Sequence, residues 1–296
     1  MEIKLKRTLT LPWWLKDETV ATHLEQLDKC KQYPLPPDFL HAFTRNYATV
    51  AVFMGNKTEG TLPAGIDQRQ MYALVESVFS AQGPVDYTPS PPEPWSAEGG
   101  ANSGSSSQIL QHAKALKYLC FDRALGALDV DAVLRTHKIL MWGAEDDNKI
   151  KVKAGEYRST PARSGTGYVY HEPSLIAPGV EKVVSDYNDK LPKVKAGQMD
   201  AELLAAQLFY DMVTLHPFEN GNGRLCRLLA AFALMSAGDP FPLPLSNGLK
   251  EVRSHCQQVL RYADKHLGDV SRLAAHILEC RAFSWQNLVA NARWEQ

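Results

Sequence analysis

Neither a CxxC pair nor an uncharged apolar run of about 18 residues occurs in this sequence, and neither sign of charge prevails. The five cysteines, Cys30, Cys120, Cys226, Cys256 and Cys280, are scattered and odd in number, which argues against both a disulfide framework and a zinc knuckle. Reduced thiols fit a cytoplasmic or nuclear setting. The basic opening MEIKLKRTLTLPWW lacks the apolar stretch and small-residue cleavage site of a secretory leader, so a soluble protein with no membrane partner is expected. With 32 basic against 33 acidic residues there is no global positive field, and nucleic acid is not expected as a partner.

What the chain does have is apolar content and helical periodicity. Hydrophobic residues make up 45% of its 296 positions, enough to bury a substantial core. Apolar positions recur at helical spacing over 14–53, interrupted by the turn YPLPPD, and again from about Asp67 through RQMYALVESVF. The tract 83–107 is rich in proline, glycine and serine and supplies no face to pack, so it reads as a flexible surface insertion. From Gln108 helical patterning dominates, with Ile109, Ala113, Leu116, Leu119 and Leu128 as core candidates. One segment differs: GEYRSTPARSGTGYVYHEP, from Gly155, alternates in TGYVYH after paired turns, which predicts a short β-hairpin. The expected fold is mostly α, with one hairpin.

The stretch HPFENGNGRLCR, 216–227, concentrates the chemistry. Pro217 ends the helix AELLAAQLFYDMVTL beside His216, Asn220-Gly221-Asn222-Gly223 permits a tight turn, and RLCRLLAAFALM begins a new helix. A loop feeding a helix N-terminus attracts anions, because unpaired N–H groups and the helix dipole both favour negative charge. Arg224 and Arg227 are three residues apart, one turn of the same helix, and add guanidinium forks suited to phosphate. His216 at the edge of such a site has the near-neutral pKa that suits proton abstraction from an attacking hydroxyl. Asn220 or Glu219 is placed to help hold a divalent cation bridging phosphates. A lone histidine at a helix end is ordinarily structural; the adjacent GNGR and second arginine shift the reading to phosphoryl or nucleotidyl transfer. A DNA-reading helix-turn-helix is disfavoured, since the helix after GNGR is mostly apolar and suited to burial.

HPFENGNGRLCR resembles the signature HPFx[D/E]GNGRxxR of the Fic (Fido) domain family, departing only at Asn220, where the family has Asp or Glu. The resemblance extends over about 48–265, through GNKTEGTLP, LRTHKILM and GEYR. It implies a Fic-type helical core with a β-hairpin flap and an N-terminal helical extension. The corresponding division is 1–54 as an N-terminal helical region, 55–82 as an inhibitory segment and following helix, 83–107 as the insertion, 108–270 as the catalytic core and 271–296 as a C-terminal helix.

By the same resemblance the activity is transfer of AMP from ATP, with Mg²⁺ or Mn²⁺, to a Ser, Thr or Tyr hydroxyl of a target protein. His216 would be the base and Phe218 would seat the loop. Gly221, Asn222 and Gly223 would form the anion cradle, Asn222 and Arg224 would contact the α- and β-phosphates, and Arg227 would bind the γ-phosphate. Asn220 would be the metal ligand, weaker than a carboxylate. Glu59, in GNKTEG, matches the glutamate of the family's inhibitory pattern [S/T]xxxE[G/N], with Gly55 departing at its first position, and would pair with Arg227. Val169 and Tyr170 are the candidates for clamping a target backbone, and a homodimer is the implied assembly. Removal of AMP by the same site, or a nucleotide-sensing scaffold with little catalysis, are the alternatives.

Overall fold

The computed structural model describes residues 2–7, 19–62, 66–81, 103–144, 151–165, 167–245 and 250–294. The insertion expected over 83–107 lies outside the described residues as far as residue 102, and from Ser103 the chain is already helical.

Helix α1 (Val20–Lys31) starts where the Thr19 hydroxyl accepts the Thr22 N–H. Helix α2 (Pro37–Glu59) has proline at its first position, where the missing N–H costs nothing, and stops at Gly60, whose φ of 69° lies in the left-handed region glycine tolerates. Residues 55–59 are therefore its last turn. Helix α3 (Gln68–Ser80) opens with a reciprocal capping box between Asp67 and Gln70. Helix α4 (Ser103–Lys117) runs into a π-helical turn at Tyr118–Asp122, and α5 (Val130–Met141) is capped by Asp129.

After a 3₁₀ turn at Pro173–Leu175 come α6 (Ile176–Lys195), α7 (Ala201–Leu215), α8 (Asn222–Ser236), α9 (Lys250–Lys265) and α10 (Ser271–Trp294). Helix α8 is buried on nearly every side from Leu225 to Ser236, as its apolar composition predicts, and it packs most extensively on α7. Around this pair α2 and α5 flank α8, while α6 and α10 flank α7. At the far end of α7 a buried guanidinium, Arg281 on α10, is held by Asp239 at 2.6 Å and Glu202 at 2.7 Å, fixing α10 to α7 and to the turn after α8. No helix among the described residues is long and apolar enough to cross a membrane.

The expected β-hairpin is not formed: among the described residues there is no β-strand, and GEYRSTPARSGTGYVYHEP contains only an isolated antiparallel bridge between Arg163 and Val169. The Tyr170 N–H donates to the Ala162 carbonyl at 3.1 Å, and there the pairing ends. The next rung would use the Thr160 carbonyl, which accepts instead from the Arg158 guanidinium, and the same group takes the neighbouring His171 carbonyl. Among the described residues the regular elements are thus all helical, and the expected flap strands are not formed.

Candidate active site

Helix α7 ends at His216, whose φ of 50° and ψ of 59° put a non-glycine residue in the left-handed region. Such a conformation costs roughly 1–2 kcal/mol and persists only where surroundings over-determine it. The carbonyls around this turn are met by Arg158, a buried guanidinium. Its Nε donates to the His216 carbonyl at 2.7 Å, Nη2 to the Leu215 carbonyl at 3.4 Å, and its backbone N–H to the Pro217 carbonyl at 2.9 Å.

The His216 ring stacks on Tyr170, centroids 3.7 Å apart and 14° between planes. Its Nδ1 lies 3.3 Å from the Val213 carbonyl. A carbonyl only accepts, so Nδ1 carries the proton and Nε2 keeps a lone pair. Burial, opposed by that bond and reinforced by the Arg158 charge, lowers the imidazole pKa to about 4. The ring is therefore neutral at physiological pH and ready to accept a proton.

The loop after His216 is locked from both sides. Phe218 is fully buried and its ring stacks on His137 of α5 at 3.6 Å and 7°. His137 accepts the Gly155 N–H on Nδ1 at 2.9 Å, which leaves Nε2 as the donor to the Asn220 carbonyl, also at 2.9 Å. Burial holds this histidine neutral, its pKa lowered to about 4. Asn222 does not point outward: its amide accepts the Phe218 N–H at 3.1 Å and donates to the Phe218 carbonyl at 2.7 Å. Gly221, with φ of 78°, must be glycine because a Cβ there would lie 2.5 Å from the Met141 sulfur. Asn220 is exposed, its Oδ1 accepting the Gly221 N–H at 2.7 Å.

Helix α8 begins at Asn222 with no side chain capping it, so its first-turn N–H groups face the loop opening. Arg224 is buried and pre-set by Gln108 at 3.0 Å and by the Met141 sulfur at 3.3 Å. Burial lowers its pKa to about 10, which leaves it charged. Arg227, one turn on, forms an ion pair with Glu59 at the end of α2, and a Cβ on Gly223 would be 2.9 Å from the Glu59 carboxylate. The carboxylate thus stands over the first turn of α8 and against Arg227 together. The end of α2 is braced to hold it there: Asn56 donates to the Val52 carbonyl at 2.8 Å, sits 3.0 Å from His112 Nδ1, and its Oδ1 accepts from the Thr61 hydroxyl at 2.8 Å. Gly55 makes room for this contact, since a Cβ there would be 2.6 Å from the His112 ring.

The site residues expected from sequence therefore gather at one helix junction, with Tyr170 on the His216 ring. Val169, beside Tyr170 in the chain, is 51% exposed. Arg158 and His137 carry no assigned role in the sequence reading, although GEYR and LRTHKILM contain them. Their signal is weak because their partners are main-chain carbonyls and N–H groups, which no residue identity reveals.

Acid sensitivity follows from these rings. His137 and His216, and with them the buried His276 of α10, are each lowered to about 4 by burial, whereas the unfolded chain takes up protons near the ordinary histidine pKa of about 6.5. Stability is full above about pH 6.5 and falls as pH drops toward 4, each ring contributing at most about 1.4 kcal/mol per pH unit. Urea titrations at pH 7 and pH 5 will show a lower midpoint at pH 5; equal midpoints would mean the rings are solvated.

The Fic/DOC family profile matches residues 127–234, which span α5 to α8 and include the whole motif. A Fido domain-containing protein of Dictyostelium discoideum is 34% identical over 142 residues, 48% of this chain and 96% of that protein. A protein adenylyltransferase Fic of Nematostella vectensis is 29% identical over 45% of this chain, but the match spans only 30% of that longer protein. Among solved structures, residues 134–508 of Fic-1 from C. elegans superpose with a TM-score of 0.68 at 20% identity, covering 93% of this chain and 72% of that one. A Fic domain-containing signalling protein from Bacteroides thetaiotaomicron gives the same TM-score and identity and is covered over 97% of its length.

Proposed function

The chain belongs to the Fic/DOC family, and from that premise we propose that it transfers AMP from ATP to a Ser, Thr or Tyr hydroxyl of a protein and is held in check by Glu59. The observation that carries the reading is the seat of the Glu59 carboxylate, at the uncapped start of α8 and paired with Arg227. A carboxylate there occupies the place where helix N–H groups and a guanidinium would take the far end of a triphosphate.

With Glu59 displaced, the terminal phosphates fall to Arg227 and the first turn of α8, and Arg224 is already oriented for the neighbouring phosphate. That leaves the α-phosphorus toward His216. Nε2 takes the proton of the acceptor hydroxyl, the oxygen attacks the α-phosphorus, and pyrophosphate leaves on the arginine side. Arg158, His137 and Asn222 do no chemistry in this scheme; they keep base and cradle in fixed register. Peptide mapping by mass spectrometry after incubation with ATP and candidate proteins will find an AMP adduct on a hydroxyl residue. A phosphate or UMP adduct in its place would refute the assignment.

A magnesium ion suits this site only modestly. Among the described residues no group of three or more His, Cys, Asp or Glu side chains is arranged to hold a metal. Asn220 Oδ1 keeps a second lone pair beyond its bond to the Gly221 N–H, so it would serve as one neutral ligand, the other donors coming from outside the protein. When bound, the ion would neutralise phosphate charge. Asn220→Asp, by restoring a full negative charge, will lower the Mg²⁺ concentration giving half-maximal transfer by about tenfold, as charge-assisted ligation predicts. An unchanged Mg²⁺ requirement would remove Asn220 from the metal's shell.

A further inference from the structure

We propose that Arg158 is the positioning residue of the His216 base, holding its backbone in the left-handed conformation and tying to it the segment that presents Tyr170. The proposal rests on the reading of His216 as the base. Three consecutive carbonyls, those of Leu215, His216 and Pro217, accept from Arg158, two from its side chain and one from its backbone N–H. A left-handed residue at a helix end turns successive carbonyls outward, and in a buried setting each needs a donor. One residue supplies all of them.

The same guanidinium also donates to the carbonyls of Thr160 and His171, which flank the bridged segment bearing Tyr170. His171 Nδ1 lies 3.1 Å from the Thr214 carbonyl, a second tie between this segment and the end of α7. The Tyr170 ring then rests on the imidazole at 3.7 Å. Backbone, ring stack and neighbouring segment are therefore referred to a single planar group. Lysine cannot reproduce it, because one ammonium has no fork able to reach carbonyls in several directions. The Arg158 charge also favours the neutral ring.

The test combines nitrogen-15 histidine NMR with binding and kinetics on the full chain, for wild type, Arg158→Lys and Arg158→Gln. In Arg158→Gln the His216 titration midpoint will rise and its Nδ1–H tautomer preference will weaken. Affinity for ATP, whose site lies on α8, will stay within about twofold, and kcat for transfer will fall about 100-fold, the loss expected when a reacting group is misplaced by about 1 Å. Arg158→Lys will keep the titration midpoint low through its charge, yet recover only part of the rate. Wild-type His216 signals and kcat in Arg158→Gln would overturn the proposal. If Arg158→Gln does not fold by far-UV circular dichroism, Arg158→Lys decides by the same signals, and loss of fold in both makes Arg158 a core residue and overturns it too. A wild type that transfers no AMP while the NMR changes appear would refute the function and leave the positioning role intact.

Discussion

Glu59→Gly will raise AMP transfer by about 10- to 100-fold at matched ATP and Mg²⁺, the range set by losing one charge-assisted hydrogen bond of roughly 1.5–3 kcal/mol that competes with phosphate. The pair is only partly buried, with 16% of the Arg227 side chain and 27% of Glu59 exposed. It is therefore displaceable, not a permanent core contact. Glu59 is also the last residue of α2, where the helix dipole disfavours negative charge, and faces the first turn of α8, where it is favoured. The carboxylate gains more from the start of α8 that it faces than from the helix it sits on. Because glycine also weakens a helix end by up to about 1 kcal/mol, Glu59→Gln is the companion variant that removes charge alone. Both will tighten ATP binding. If neither variant is more active than wild type, Glu59 is not inhibitory.

His216→Ala will lower transfer by about 10²- to 10⁴-fold, the usual contribution of a positioned general base, with ATP affinity unchanged. Alanine is poorly suited to a φ of 50°, so His216→Asn, which tolerates the left-handed region better, guards against a folding artefact. A proton acceptor must be unprotonated to work, and this imidazole has its pKa lowered to about 4. The profile of kcat/KM will therefore show no inflection from the base between pH 6 and 8, a range chosen around its ordinary pKa of about 6.5, and will fall only as pH drops toward 4. An inflection near pH 6.5 would mean that the catalytic ring is solvated and unstacked from Tyr170.

The legible parts of this molecule are those whose chemistry is local in the chain. In residues 216–227 the loop, helix start, imidazole and guanidinium groups are consecutive, so their gathering at one helix junction is legible, and the apolar run from Leu225 correctly predicts a buried helix. The pairing of Glu59 with Arg227, 168 residues apart, is accessible only through family resemblance, since nothing in composition links them. Asn222 shows a subtler limit. Its amide has the chemistry to meet phosphate, but in the fold it is committed to the Phe218 peptide. The β-hairpin fails for a related reason. Alternation in TGYVYH reports side-chain direction, with Val169 outward and Tyr170 on His216, while a ladder also needs its next acceptor, the Thr160 carbonyl, which Arg158 takes.

The most direct measurement uses the Glu59→Gly protein with ATP radiolabelled at either the α- or the γ-phosphate, followed by denaturing electrophoresis with and without His216→Ala. Label from the α-position will remain on protein, label from the γ-position will not, and the additional His216→Ala change will abolish the signal. Retention of γ-label, or α-label indifferent to His216, would contradict the account.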